Sequence, residues 1–300
     1  MNEIRKQSFF YKLANNERYL SYLFICPTII ILFSIAIFPL FYSLGSSLTD
    51  FTFGRPKINF VGLSNFLKIF RDKFFLNGLK LTIIFVAGST FLSFTLGFFI
   101  ALLMDQKLIG KGVFRTIFLS PMCIPTVVVG IVWLLLFMPD FSFLSYILQL
   151  VGIPPPDWLL RPGWALFSIM VAYVWQWTPF FILMLSAGIA ALPTETYEAA
   201  LVDGATWIQR VRFITIPLLK PIILLTILIR MMDAFRIFDH VFVMTEGGPG
   251  RSTQVLSFYI YLSGIRYRYI GYASAMSWIM LIIIILLSMF MIRLFRQIRM

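Results

Sequence analysis

Ionisable side chains recur at three-residue intervals inside one strongly apolar stretch, 218–245. The set comprises Arg230, Asp233, Arg236 and Asp239, with His240 next to the last of them. Opposite charges three positions apart on a helix can pair, and ionisable groups within a membrane usually face a bundle interior or a polar cavity. Because each step of three turns backward around the helix, the set covers about half its circumference. Internal salt bridging and the lining of a polar path both remain open.

A second chemical feature is the polar stretch 193–217, between two apolar runs. It predicts a short helix with an N-cap and two glutamates in its first turn, where carboxylates complement the helix dipole. An Asp-Gly pair then ends the helix, with the glycine in a left-handed turn. The residues that carry this pattern are Thr194, Glu195, Glu198, Asp203 and Gly204.

The second half of this stretch predicts another short helix, which is amphipathic. Trp207, Val211 and Ile214 are spaced to lie on one face. Small side chains at positions 199, 200 and 205 would let another protein approach closely. The hairpin is therefore either a docking surface or an ordinary surface loop packed against its own helix ends.

The composition excludes a soluble or disordered protein. Of 300 residues, 60% are hydrophobic, 17% aromatic and only 13% charged, and the mean hydropathy is +0.89. Ordinary domains are about 25% charged, and disordered chains are poor in apolar residues. The net charge of +12 could indicate nucleic-acid binding. Lys and Arg collect between the apolar runs, however, which is typical of membrane topology, so we expect lipid contact and no nucleic acid.

Catalytic and metal-binding patterns are missing from the sequence. Cys26 and Cys123 are far apart within apolar runs, and His240 is the one histidine. No G-x-x-x-x-G-K-[ST] phosphate loop occurs, and Gly110-Lys111-Gly112 is the nearest approach to it. We therefore assign no catalytic residue, no metal ligand and no nucleotide site to this chain.

Six apolar segments are long enough to cross a bilayer core of about 30 Å as helices, which predicts an all-α membrane protein. They are 22–44, 81–104, 113–138, 163–192, 218–245 and 269–294. Prolines at 39, 121, 125 and 179 should kink their helices. An even number of spans places both termini on one side, and the distribution of Lys and Arg favours the cytoplasm.

The chain is predicted to form one transmembrane domain over residues 1–300. It would consist of a cytoplasmic N-terminal segment 1–21, a first helix 22–44 and a five-helix core 79–295 that carries the hairpin. The segment 141–151 predicts a short interfacial helix.

The hairpin resembles the EAA motif of inner-membrane subunits of binding-protein-dependent ABC importers. The family pattern EAA-x3-G-x9-I-x-L-P matches from Glu198 through Gly204 and Ile214 to Pro217, except that Ile216 replaces leucine. Asp203 and Ala205 complete the DGA form that is common in the sugar-type branch.

Three further segments resemble the same family in the same order along the chain. Residues 238–253 are similar to the FD…LT-x-GGP…T segment of carbohydrate permeases, with Met244 in place of leucine. Residues 271–277 and 60–66 are similar to its GYASA and FVGLxN(F/Y) stretches. The chain is similar to the families of the larger maltose permease subunit and the first glycerol-phosphate permease subunit.

This resemblance implies the type I ABC importer permease fold, with six transmembrane helices, in a prokaryotic plasma membrane. It further implies a heterodimer with a second, homologous permease subunit, two cytoplasmic ATPase subunits that bind ATP and Mg, and an external solute-binding protein. The cargo would be a sugar, oligosaccharide or polyol, and this chain would hold no cofactor. The implied ATPase-coupling residues are Glu198, Ala199, Ala200, Asp203, Gly204, Ile214 and Pro217.

The substrate pathway is expected at Arg230, Asp233, Arg236 and Asp239. Sugar faces could stack on Trp175, Trp177 or Trp278, which could equally anchor the chain at the lipid interface. Alternative functions are an ABC importer for glycerol phosphate, an ion-coupled secondary transporter or channel, and an intramembrane enzyme. The secondary transporter leaves the hairpin unexplained, and the enzyme lacks a catalytic motif.

Overall fold

The computed structural model describes residues 17–106, 110–138 and 142–299, and these are helical nearly throughout. Within them, the strand-like pairing is a single antiparallel bridge between Thr49 and Phe60. The helices are α1 (Glu17–Leu32), α2 (Phe38–Ser47), α3 (Ser64–Ile69), α4 (Lys73–Asp105), α5 (Lys111–Leu119), α6 (Thr126–Phe137), α7 (Phe143–Leu150), α8 (Pro162–Ala190), α9 (Thr194–Val202), α10 (Trp207–Arg210), α11 (Ile216–Ala234), α12 (Asp239–Met244), α13 (Leu256–Tyr261) and α14 (Ile270–Arg299). Short 3₁₀ or π-helical turns continue several of them: Phe33–Ile37, Ser120–Cys123, Val211–Thr215 and Leu262–Arg266.

Five helical segments of the described residues are long and apolar enough to cross a membrane, and a bent pair brings the number to six. The five are Phe24–Ser47, Lys73–Asp105, Pro162–Ala190, Trp207–Ala234 and Ile270–Leu294. The predicted all-helical membrane fold is thereby confirmed. The predicted N-terminal segment 1–21 lies mostly outside the described residues. Phe141, the predicted start of the interfacial helix, also lies outside the described residues, and the structure shows this helix as α7.

The third predicted span is not one kinked helix. Gly112–Cys123 and Thr126–Phe137 meet at an angle of 98°. Ile124, just before Pro125, adopts an extended conformation, as residues preceding proline tend to do. Its carbonyl accepts a hydrogen bond of 2.9 Å from the Gln176 side chain of α8. A buried amide thus satisfies a backbone group that the break releases.

The fifth predicted span, 218–245, is also wrong in its limits. The helical segment begins earlier, at Trp207, and ends at Ala234. The chain then makes a turn before α12 starts at Asp239. The charged residues of this region therefore do not lie on a single helix.

The structure comprises two compact units, of which the larger contains Lys68–Leu262 and continues from Ile279. Its centre is the contact between α4 and α8. A Cβ atom at Gly97 of α4 would overlap that of Phe181 on α8, so glycine is what permits this close approach. Buried side chains fill the space on either side, including Phe85 with Ile169 on one side and Leu185 with Leu219 on the other.

The smaller unit contains the described residues up to Leu67 together with Ser263–Trp278. Its loop after α2 is held by polar contacts. The Asn65 amide donates to the carbonyls of Ser47 and Thr49, at 2.9 and 2.8 Å. Asp50 accepts from the Asn59 backbone at 2.6 Å and from its side chain at 2.9 Å, and these bonds lower the pKa of the Asp50 carboxyl.

Candidate functional site

The turn of the predicted hairpin is a Schellman motif at the end of α9. Gly204 has a φ of +75°, the left-handed conformation that the sequence predicts. The Gly204 amide donates to the Leu201 carbonyl at 3.1 Å, and the Ala205 amide donates to the Ala200 carbonyl at 2.9 Å. These two bonds satisfy carbonyls that the helix end would otherwise leave free.

Two details of α9 differ from the prediction. Pro193, not Thr194, is the N-cap residue, and its side chain has no donor or acceptor for capping. Because the helix starts at Thr194, Glu195 lies in the first turn but Glu198 falls in the second. Glu198 is exposed, which leaves its carboxylate free for a contact outside this chain.

The second half of the hairpin begins with a capping box. The Thr206 hydroxyl accepts from the Gln209 amide, and the Gln209 side chain accepts from the Thr206 amide at 2.7 Å. A π-helical turn, Val211–Thr215, follows. The apolar face that the sequence predicts for this helix is therefore not uniformly buried: Trp207 is exposed, whereas Val211 is half-buried.

A hydroxyl pair joins the two arms of the hairpin. The Tyr197 and Thr215 hydroxyls lie 2.7 Å apart, and Thr215 is buried. The Thr215 hydroxyl is also 3.4 Å from the Arg210 carbonyl. The bond between the Tyr197 and Thr215 hydroxyls joins α9 to the turn that leads into α11.

Several apolar side chains of the hairpin are largely exposed. Val202 is 88% exposed, and Ile208 and Phe213 are each 68% exposed. Of the predicted coupling residues, Glu198, Ala199, Asp203, Gly204 and Pro217 are exposed, whereas Ala200 and Ile214 are half-buried. An exposed apolar patch with charged neighbours is typical of a protein or membrane contact.

A second site surrounds Arg230, whose side chain is only 5% exposed. Its guanidinium pairs with Asp233 at 2.8 Å and donates to the Tyr173 hydroxyl. It also lies 4.1 Å from the centre of the Trp177 ring. Ion pair, hydroxyl and cation–π contact together offset the cost of burying the charge.

The other predicted pathway residues extend this site only in part. Arg236 lies 3.4 Å from Asp233 and is 67% exposed, whereas Asp239 begins α12, beyond the end of α11. Trp177 belongs to the site, but Trp175 packs edge-on against Trp133. Trp278, the remaining tryptophan that the sequence suggested for sugar stacking, is half-buried in the smaller unit.

Most of the chain, including both of these sites, matches one known protein family. Residues 93–299 match the family described as "Binding-protein-dependent transport system inner membrane component". The chain belongs to this family. The match includes the hairpin, the Arg230 site and all of the helices from α5 to α14.

Curated relatives of this inner membrane component are similar over most of their lengths. The trehalose/maltose transport system permease protein MalF of Thermococcus litoralis is 38% identical over 82% of this chain and 83% of its own. The sn-glycerol-3-phosphate transport system permease protein UgpA of Agrobacterium fabrum is 33% identical over 92% of this chain and 94% of its own. Both are named as transport permeases.

Solved structures show the same fold. A chain of a bacterial ABC transporter involved in the import of the acidic polysaccharide alginate superposes with a TM-score of 0.82. It is 21% identical, and the superposition covers 97% of this chain and 99% of that one. A second structure holds that transporter with an alginate pentasaccharide-bound periplasmic protein, also with a TM-score of 0.82, at 22% identity over 93% of this chain and 95% of that one. The inner membrane component described here thus has the type I importer permease fold.

Sequence reasoning missed Tyr173, Tyr197 and Thr215, each of which makes a central contact of a site. Tyr173 and Trp177 are four positions apart on α8, a spacing that places them on one face. That spacing could have paired Tyr173 with the tryptophan. Tyr197 and Thr215 could not be paired from the sequence, because their contact depends on the angle set at Gly204.

Proposed function

We propose that this inner membrane component is one of two permease subunits of an ATP-driven carbohydrate importer. The second subunit is a homologous but distinct chain, so the translocation path lies in a heterodimer. Two cytoplasmic ATPase subunits bind ATP and Mg and dock on the hairpin, and an external solute-binding protein delivers the cargo. Both termini and the hairpin lie on the cytoplasmic side of a prokaryotic plasma membrane.

The observation that carries this proposal is the exposed apolar patch of the hairpin beside an ordered turn. Val202, Ile208 and Phe213 present apolar surface that a partner would bury. Since Tyr197 bonds to Thr215 across the hairpin, movement of a docked ATPase would be transmitted to α11. That helix carries Arg230 and Asp233, so the hairpin leads directly into the helix of the charged site.

Carbohydrate is the favoured cargo because of the chemistry around Arg230. Trp177 is half-buried, and Asp233 is a hydrogen-bond acceptor that is 39% exposed. Polyhydroxylated molecules need such acceptors and donors. The relative from Thermococcus litoralis is named for trehalose and maltose, which supports the same class of cargo.

An anionic cargo is the second candidate. Arg230, Asp233 and Arg236 together carry two positive charges and one negative charge, and Arg236 is mostly exposed. A phosphate or uronate would complete the pairing. The relative from Agrobacterium fabrum is named for glycerol 3-phosphate, which is such an anion.

Reconstitution tests the proposal against an ion-coupled transporter. The complex is placed in proteoliposomes with ATP and Mg on the cytoplasmic side and the solute-binding protein outside, and uptake of trehalose, maltose and glycerol 3-phosphate is measured. We expect uptake only when both ATP and the binding protein are present. Uptake driven by an ion gradient without ATP would overturn the proposal.

Docking is tested separately with a matched pair of variants. V202S removes the most exposed apolar side chain of the hairpin, and I58S removes one that is 55% exposed outside it. We expect V202S to reduce co-purification of the ATPase subunits while I58S leaves it unchanged. Equal co-purification of both variants with the ATPase would contradict the docking role.

A further inference from the structure

A cavity of about 590 Å³ lies in the larger unit, away from Arg230. Its walls are the end of α6, α7, the segment 155–160 and the loop after α12. This volume is in the range of small-molecule sites, about 300–1,000 Å³. Lining residues that matter here are Gln149, Asp157, Trp158, Thr245, Gly248 and Pro249.

The loop wall of this cavity is held in one conformation. The hydroxyls of Thr245 and Thr253 lie 2.8 Å apart, and Thr253 donates to the Gly248 carbonyl at 2.7 Å. Glu246 and Arg251 have φ values of +48° and +70°, which non-glycine residues rarely adopt. Such strain is kept where the surrounding structure enforces it, and it clusters at ligand sites.

The opposite wall is fixed around Trp158. Its indole donates to the Ser145 hydroxyl at 3.0 Å, and its carbonyl accepts from Ser168 at 3.0 Å. The Trp158 ring lies 5.2 Å from that of Phe137. The cavity therefore has an aromatic wall whose orientation does not depend on a ligand.

Polar groups on this wall are available for recognition. Among the described residues, the Gln149 amide has no hydrogen-bond partner, so both its donors and its acceptor are free. Asp157 uses Oδ2 for Arg161, at 2.9 Å, and retains Oδ1 as an acceptor. An amide and a carboxylate beside an aromatic ring suit a molecule with many hydroxyl groups and an apolar face.

We propose that this cavity is an outer subsite for carbohydrate, separate from the Arg230 site. The inference rests on the proposed carbohydrate import. With the hairpin on the cytoplasmic side, as proposed, α7 faces the exterior, where the binding protein releases its cargo. A sugar held at Gln149 and Asp157 would be retained before it passes to the membrane interior.

The test is trehalose binding to the complete complex in lipid nanodiscs without the solute-binding protein. Saturation-transfer difference NMR measures the trehalose dissociation constant. We expect the double variant Q149A/D157N to bind about tenfold more weakly, because it removes the hydrogen bonds of Gln149 and replaces the charged acceptor of Asp157 with a weaker, neutral amide oxygen. R161Q is the matched control, because it breaks the same ion pair but Arg161 does not line the cavity.

The outcomes separate this inference from the proposed import. Unchanged trehalose binding in Q149A/D157N, or an equal loss in R161Q, would overturn the outer subsite. Neither of these results affects ATP-dependent uptake, whose absence would refute the import proposal by itself.

Discussion

Three kinds of contact surround the buried guanidinium of Arg230 in an apolar helix. Asp233 supplies the negative charge, Tyr173 a hydroxyl, and Trp177 the face of an aromatic ring. Only the aspartate is appreciably exposed. The energetic consequences of removing the two partners of this ion pair are therefore unequal.

We predict that D233N destabilises the protein more than R230M. The first variant leaves a buried guanidinium without its counter-ion, whereas the second removes the charge and retains an apolar stem. Breaking a fully buried pair costs about 3–5 kcal/mol. Water near the partly exposed aspartate reduces this, so we expect about 1–3 kcal/mol. Thermal unfolding midpoints of the purified complex compare the variants, and a lower midpoint for R230M would contradict the prediction.

Gly204 is the second residue whose backbone decides a local structure. A Cβ atom there would meet open space, so the obstacle to substitution is the left-handed φ alone. We predict that G204V inserts normally but loses ATPase stimulation, because strain of about 1–3 kcal/mol opens the exposed turn. Membrane content and ATPase activity of the complex are measured together.

The control for this prediction is G112V. Gly112 also faces open space, but its φ is not left-handed. We expect membrane content and stimulated ATPase activity close to wild type in this variant. Normal stimulation in G204V would exclude a role for the turn.

At the scale of elements, apolar runs predict where helices cross the membrane but not how each one ends. The segment 163–192 was predicted within two residues of α8. The 98° break near Pro125 was not, since a proline indicates only a kink. The hydrogen bond that satisfies the broken backbone comes from Gln176, which is far away in sequence. The end of α11 at Ala234 likewise interrupts the predicted span 218–245.

The loop after α2 is an element whose stability should depend on pH. Hydrogen bonds from Asn59 lower the pKa of Asp50 below its ordinary value of 3.8. The folded pKa is thus below the unfolded one, so the stabilisation is complete above pH 3.8 and is lost as the pH falls through the folded value.

We therefore predict faster hydrogen exchange at the Asn59 amide as the pH falls below 3.8, after correction for intrinsic exchange. Mass spectrometry of the complex in nanodiscs provides the measurement. D50N should remove most of this pH dependence, because its side chain no longer titrates. A wild-type protection factor that stays constant through this range would be inconsistent with the assignment.

The predicted sites depended on sequence to different degrees. The turn at Gly204 follows from local chemistry, since an Asp-Gly pair after a helix has few conformations. The contacts of Arg230 could not be predicted from the sequence, because Tyr173 is 57 positions away from Arg230 and only the fold brings them together. The predicted series of charged residues from Arg230 to Asp239 assumed a continuous helix, but the helix ends at Ala234.

At the scale of the molecule, six spans, with the bent pair counted as one, would place successive loops on alternating sides of the membrane. We predict that residue 199 is accessible from the cytoplasm and residue 57 from outside. Cys26 and Cys123 are exposed and are first replaced by serine. A199C and K57C are then labelled with a membrane-impermeant maleimide in right-side-out and inverted vesicles. Labelling of A199C from the exterior would refute the proposed topology.

The contact between α4 and α8 at Gly97 constrains how this protein can move. Because a Cβ atom at position 97 would overlap that of Phe181, sliding one helix along the other would bring a larger side chain of α4 into this close contact. We therefore expect α4 and α8 to move together as one rigid body during each transport cycle. The backbone dihedral angles should then change mainly in the segments that flank these two helices.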